Sequence, residues 1–461
     1  MQDVALSRAA HGRAILKLGL PLIASNVAQF AIHITDTIML GWYDVTALAA
    51  ATIATTLFFL TFIVGAGFAF AVTPLVAAAA EAEDSVQVRR VTRMGGWLSI
   101  FYGGVVMVPF FWSEDILLWI GQAPDVAALG HDYLIIALWG MVPALLVMTL
   151  KSYLAALEHT AIILWGTIIA AVLNVALNYV LIFGNFGAPE LGIRGAAIAS
   201  VALQAATVGI LLLYGLRVLP QYKLLQNIFK PDNEIMGQVF RLGWPIGVTS
   251  LAEGGLFSVS AIMIGWIGEL ELAAHGIVIQ LASLAFVVHV GLSQVATIRA
   301  GRALGRRDEA SLRRGGHVAF FMSFAFAMVT VCFFLLFSRP VISAFLGADE
   351  PARDQVIAIG IGLLAMAALF QVVDALQVMA LGMLRGVQDT TVPMFMAAIS
   401  YWGIGIPVSY LLTFEMGLGP VGIWLGLVIG LTIACMLLNW RFWTRSVRIN
   451  DRFAAEGVAA S

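Results

Sequence analysis

The chain is 461 residues long, 61% hydrophobic and only 11% charged, with a formal net charge of −2. Globular chains carry about a quarter charged residues, so this composition excludes the soluble classes and points to an all-α polytopic membrane protein. Its two cysteines, Cys332 and Cys435, lie inside apolar runs, which excludes a disulfide framework or a cysteine metal motif.

The first residues, MQDVALSRAAHGRAILKLGLPLI, are polar and then enter an apolar run with no small-residue cleavage site, the pattern of a retained first helix. Segments apolar and long enough to span occur at about 14–42, 46–79, 91–112, 127–150, 161–183 and 190–216. After a polar connection at 217–235 they resume at about 236–268, 272–298, 315–338, 354–384, 391–414 and 419–443, which makes twelve. Pro21, Pro143, Pro245 and Pro407 fall inside these segments, where membrane helices tolerate proline. Of the 25 Lys and Arg, 22 fall on the side of the N-terminus, including Arg89, Arg90, Arg93, the six arginines of 299–314, Arg385 and the tail residues Arg441, Arg445, Arg448 and Arg452. Only Arg194, Arg339 and Arg353 fall on the other side. The positive-inside rule then predicts both ends in the cytoplasm of a cytoplasmic (inner) membrane protein. The 299–314 arginines most simply hold topology, with anionic-lipid contact as the alternative.

An internal repeat organises the spans. At an offset of 224, KLGLP at 17–21 meets RLGWP at 241–245, Gly41-Trp42 meets Gly265-Trp266, Gly67 meets Gly291, and Arg89-Arg90 meets Arg313-Arg314. Near the end of each half the offset drifts to 227, where LGIRGAAIA around Gly192 meets LGPVGIWLG around Gly419. The expected architecture is therefore two pseudo-symmetric six-helix lobes, 1–216 and 236–461, joined by a cytoplasmic linker at 217–235.

Few ionisable groups enter the spans. Arg241–Glu269, a helix about 40 Å long, holds one between its end charges, Glu253, followed by Gly254 and Gly255. Glu253 lies roughly 18 Å along from Arg241, near mid-depth, where a carboxylate costs several kcal/mol unless protonated, ion-bound or facing a wet cavity. The bland reading is a packing site that tolerates an acid. Asp374, in LFQVVDALQVMALGML, lies eleven residues before Arg385, roughly 16 Å along its helix and so at a similar depth. Facing one another, the two acids form a proton or monovalent-cation site; turned apart, they are two unrelated protonated acids.

In the first half, Asp36 lies in the outer part of its helix, and Asn174 and Asn178, four apart, share one helical face. A carboxylate with two amides suits Na⁺ or a protonation-linked network, or plain interhelical packing. His33 and His289 are candidates for titration or for hydrogen-bonded core, and His275 reads as structural. Met379, Met383, Met394 and Met396 lie on the helices around Asp374, where methionine suits a cavity of variable shape as well as ordinary packing. Trp42, Trp112, Trp119, Trp266 and Trp402 lie near helix ends, as an interfacial belt requires. There is no phosphate loop, no HExxH, no GxSxG and no Cys/His metal spacing.

Taken together, LAEGGL with Glu253, LFQVVDALQ with Asp374, HITDTIMLG with Asp36, MLRGVQDTTVP at 383–393 and LAAHGIVIQ at 272–280 resemble the multidrug and toxic compound extrusion family, in its NorM-like branch. The likeness covers about 14–443. It implies a V-shaped, two-lobe antiporter that expels lipophilic organic cations in exchange for Na⁺ or H⁺, not an enzyme, with no cofactor beyond that ion. It assigns the C-lobe cation site to Glu253 and Asp374, with Na⁺ there as one option, and an N-lobe polar site to Asp36, Asn174 and Asn178. Phe370 and Met379 are expected to line a cavity. The tyrosine frequent one turn before the second C-lobe acid is Phe370 here, which removes a hydroxyl ligand and favours protons. Partners expected are small cationic drugs or toxins and membrane lipids, with no nucleic acid and a monomeric state. The competing readings are a lipid-linked precursor flippase, which would line its cavity with arginine, and a membrane-embedded enzyme, which would need a nucleophile or metal set at one depth.

Overall fold

The computed structural model describes residues 7–347, 351–451 and 453; Arg452, counted above among the tail cations, lies outside them. Among the described residues, twelve helices are long and apolar enough to cross a membrane. They are α1 (Arg8–Tyr43), α2 (Val45–Glu81), α3 (Ser85–Phe110), α4 (Pro124–Ala156), α5 (Thr160–Phe183) and α6 (Gly192–Val218), followed by α7 (Asn233–Gly265), α8 (Glu269–Gly305), α9 (Glu309–Leu336), α10 (Arg353–Gly386), α11 (Thr391–Glu415) and α12 (Pro420–Ser446). Every expected span is present, and several helices run on past their apolar stretch into polar turns. No strand occurs among the described residues.

The helix ends repeat with the sequence. The carboxylates of Asp84 and Asp308, 224 residues apart, each cap a helix by accepting the backbone N–H three residues on, Gln87 and Ser311, at 2.8 Å. The residues just before them, Glu83 and Arg307, both take left-handed backbone (φ 56° and 57°). Gly192 and Gly419, 227 apart, do the same (φ 52° and 59°) where an L side chain is disfavoured. Short helices at Ser113–Trp119 and Ser338–Ser343 follow α3 and α9. The halves differ most in α11, where π-helical stretches at Ile399–Gly405 and Leu411–Glu415 flank Pro407, whose ring and missing N–H break the regular ladder.

The chain forms two compact units, one of Ala24–Gly247 and one of Met1–Ile23 with Val248–Ser461. This differs from the division expected at 217–235. The unit boundaries fall inside α1 and α7, after Ile23 and Gly247, again 224 residues apart. Packing explains why. In one unit α7 lies so close to α2 that a Cβ on Gly67 would stand 2.4 Å from the backbone N of Gly247. In the other, a Cβ on Gly291 of α8 would meet Ile23 of α1, its side chain at 2.5 Å and its Cα at 3.1 Å. Each half's first helix therefore gives its opening turns to the unit built mainly from the other half. The 217–235 connection is fastened down as well: Arg90 grips Asp232 at 2.6 and 3.2 Å, Arg93 donates to Asn227 O, and Trp97 Nε1 donates to Ile228 O.

Candidate functional site

In the unit that contains α8 to α12, α10 is the central helix, packing against α8, α9 and α12. Its seam with α8 is glycine-close, since Gly382 and Gly386 leave no room for a side chain against Ser293, Thr297 and Ala300. Two hydroxyls cross that seam, Ser293 Oγ donating to Val378 O (2.8 Å) and Thr297 Oγ1 to Gly382 O (2.9 Å). A third comes from α9, where Ser323 Oγ donates to Ala375 O and contacts His289 Nδ1 of α8 at 2.9 Å. α10 is thus pinned to α8 and α9 from the residue after Asp374 onward.

Asp374 is 1% exposed, and neither of its carboxylate oxygens has a hydrogen-bond partner. One turn away in each direction stand Gln371 and Gln377, both fully buried. Gln371 Nε2 donates to Ala282 O of α8 and Gln377 Nε2 to the Tyr401 hydroxyl of α11, which turns their unpartnered Oε1 atoms into free acceptors. Glu253, half-buried on α7, adds another unpartnered oxygen, Oε1. The Glu253 and Asp374 carboxyl groups lie within electrostatic reach of each other. The guanidinium of Arg385 also acts on Glu253, as does the Tyr401 hydroxyl. Arg385, one of the cations on the N-terminal side of the membrane, is thus within electrostatic reach of Glu253.

Phe370 and Met379, expected to line a cavity, are buried at 3% and 1% exposure. Phe370 packs in a run of rings contributed by four helices, Phe257, Phe370, Trp424 and His275, with centroids 5.7–5.8 Å apart. His275 accepts a hydrogen bond from Trp424 Nε1 at 3.3 Å, in keeping with its structural reading. Met383 and Met394 are likewise buried.

The other unit joins its three predicted residues directly. Asp36 Oδ1 accepts from Asn174 Nδ2 at 2.8 Å and from Asn178 Nδ2 at 2.5 Å, while Asn178 Oδ1 has no partner. The spacing of four on α5 brings both amides to one carboxylate oxygen on α1. Tyr133 of α4 lies within electrostatic reach of Asp36, and so does His33, which is exposed. Among the described residues no group of three or more His, Cys, Asp or Glu could hold a metal ion.

Gln371, Gln377, Tyr401 and Arg385 escaped the sequence reading of the site. The two glutamines were detectable as the polar residues three before and three after the acid on an otherwise apolar helix. Tyr401 and Arg385 carried no such signal, because their relevance depends on which helices touch.

The sequence profile of the MatE family matches residues 21–180 and again 245–411. The chain belongs to the MatE family. The two matches to the MatE profile begin 224 residues apart, at the repeat offset. The chain is 45% identical over 448 residues to the probable multidrug resistance protein NorM of Rhizobium meliloti (strain 1021), with 96% of each chain covered. It is 40% identical to the probable multidrug resistance protein NorM of Agrobacterium fabrum, covering 94% of this chain and 93% of that one. Among solved structures it resembles the eukaryotic MATE transporter AtDTX14, with a TM-score of 0.85, 20% identity, and 96% and 99% of the two chains covered. This MatE protein is a multi-pass membrane protein with the MATE transporter fold.

Proposed function

We propose that the chain is a multidrug efflux antiporter that exports lipophilic organic cations across the bacterial cytoplasmic membrane, driven by entry of H⁺ or Na⁺. Both termini lie in the cytoplasm, and the protein acts as a monomer on small molecules. The curated relatives of high identity carry multidrug-resistance names, which supports the transport class. The single observation that supports the coupling is the cluster of buried oxygen acceptors without donors, on Glu253, Asp374, Gln371 and Gln377. Burying a carboxylate without a partner is costly, and an all-acceptor surface is relieved by a cation or a proton. Gln371 and Gln377 have their amide nitrogens committed elsewhere, so their oxygens face the same demand. Neither ion is singled out by these atoms, since oxygen ligands serve Na⁺ and a shared proton alike.

Exchange follows from competition. A proton or Na⁺ on the Glu253/Asp374 pair cancels the charge that holds a cationic drug, and its departure to the cytoplasm restores that charge. In proteoliposomes, Glu253→Gln and Asp374→Asn should each abolish ion-driven ethidium efflux while the purified protein still elutes as a folded species. Dissipating the Na⁺ gradient and ΔpH separately identifies the ion. Undiminished efflux in both variants would remove the mechanism.

A further inference from the structure

Between the C-terminal ends of α7 and α11 lies an open groove of about 670 Å³, lined by Val259, Met263, Trp266, Ile406, Tyr410 and Glu415 among others. Its origin is a difference between the halves. Asp36 corresponds to Ser260 at the offset of 224, and where NYVLIF at 178–183 meets SYLLTF at 409–414 the offset is 231, so Asn174 and Asn178 correspond to Gly405 and Ser409. The first half joins its helices there with two amide-to-carboxylate bonds. In the second half Ser260 Oγ turns back to Leu256 O of its own helix, Ser409 Oγ donates to Ile423 O of α12, and Gly405 offers no side chain at all. The π-helical stretches of α11 on either side of Pro407 fall at this level, and such turns are frequent at functional sites. The joint that closes one half is missing in the other.

We propose that this groove binds lipophilic organic cations of drug size at a site separate from Glu253 and Asp374. The occupant's chemistry is set by the lining. Its volume falls within the range of about 300–1,000 Å³ typical of small-molecule sites. Glu415 is the acidic residue of the lining, and it is exposed. Trp266 is 65% exposed and Tyr410 48% exposed, and each rests against Phe414 with ring centroids 6.2 and 5.0 Å apart. Two supported, open aromatic faces beside one carboxylate match a delocalised cation; an acyl chain has no use for the charge. The groove lies on the same two helices as the coupling site's edge. One turn before Ile406, Trp402 reaches across to α7, donates to Ala252 O at 3.0 Å and fills the space beside Gly255.

This proposal rests on the export reading for its choice of ligand but is tested by binding. The full chain in liposomes is labelled with an aryl-azide derivative of tetraphenylphosphonium, and the labelled peptides are mapped. Label is expected in 259–266 and 406–415 and is displaced by excess tetraphenylphosphonium. Val259→Trp, which fills the groove, should weaken binding about tenfold or more, and Glu415→Gln about two- to fivefold, as loss of one exposed charge pair implies. Glu415→Gln alters an exposed side chain, so the result does not hinge on Val259→Trp folding. Label elsewhere, or label in the groove that Glu415→Gln leaves unchanged, or displacement by an uncharged lipid as effective as by the cation, would each overturn the proposal. Groove labelling that responds to both variants in a protein that drives no cation efflux would sink the export reading and leave the site standing.

Discussion

Gly382→Ala tests whether the contact between α8 and α10 is what holds the Asp374 region together. A Cβ at this position would stand 2.3 Å from Ser293 Oγ and 2.7 Å from Ser293 O. The hydroxyl can rotate away, but the carbonyl belongs to the backbone of α8, so the helices must separate. That movement costs about 1–3 kcal/mol as overpacking. It also lengthens the two hydroxyl bonds that cross the seam, from Ser293 to Val378 O and from Thr297 to Gly382 O, each worth about 0.6 kcal/mol between membrane helices. The expected loss is about 2–4 kcal/mol. Gly362, on the same helix, has nothing within 4 Å of a Cβ, so Gly362→Ala should be neutral or slightly stabilising through helix propensity. Midpoints of unfolding in a denaturing detergent titration compare the two. Equal midpoints would refute the argument that α10 is fixed by this close approach.

In the other unit, Asn174→Ala and Asn178→Ala should each lower the unfolding midpoint by the equivalent of about 0.5–1.7 kcal/mol, the range measured for polar contacts between membrane helices; an unchanged midpoint in the double variant would show that the Asp36 contacts add nothing. On the connection between the halves, the Arg90 guanidinium holds the Asp232 carboxyl below the usual carboxylate range. Because the folded value is depressed, the stabilisation is complete above the ordinary carboxylate pKa and is lost below it, as pH falls through the depressed folded value. Hydrogen-exchange protection of 226–232, corrected for intrinsic rates, should therefore hold from pH 7 to 5 and drop below about pH 4. Arg90→Ala should lose it at neutral pH already, and protection that persists in that variant would assign the clamp to Trp97 and Arg93 instead.

Much of this protein was legible in its residues. Spans are dictated by the length of apolar sequence needed to cross hydrocarbon, and the 224-residue repeat reappears in the caps at Asp84 and Asp308, in the left-handed turns at Glu83 and Arg307, and in the unit boundaries. The acids were found because a carboxylate in an apolar helix is expensive enough to stand out alone. The i, i+4 pair of asparagines was found because one helix face is a local property.

Sequence therefore determined what each helix must be, since burying backbone and apolar surface in a membrane acts on every segment independently. Only the tertiary structure decided which helices share a site. The Gly67–Gly247 and Gly291–Ile23 approaches set the unit boundaries inside α1 and α7, where the linker composition had suggested a division elsewhere. Packing between helices brought Tyr401 of α11 to Gln377 of α10 and the charge of Arg385 within reach of Glu253 of α7. Phe370 met the rings of Phe257 and Trp424 edge-on, because hydrophobicity says that a side chain leaves water but not which neighbours receive it.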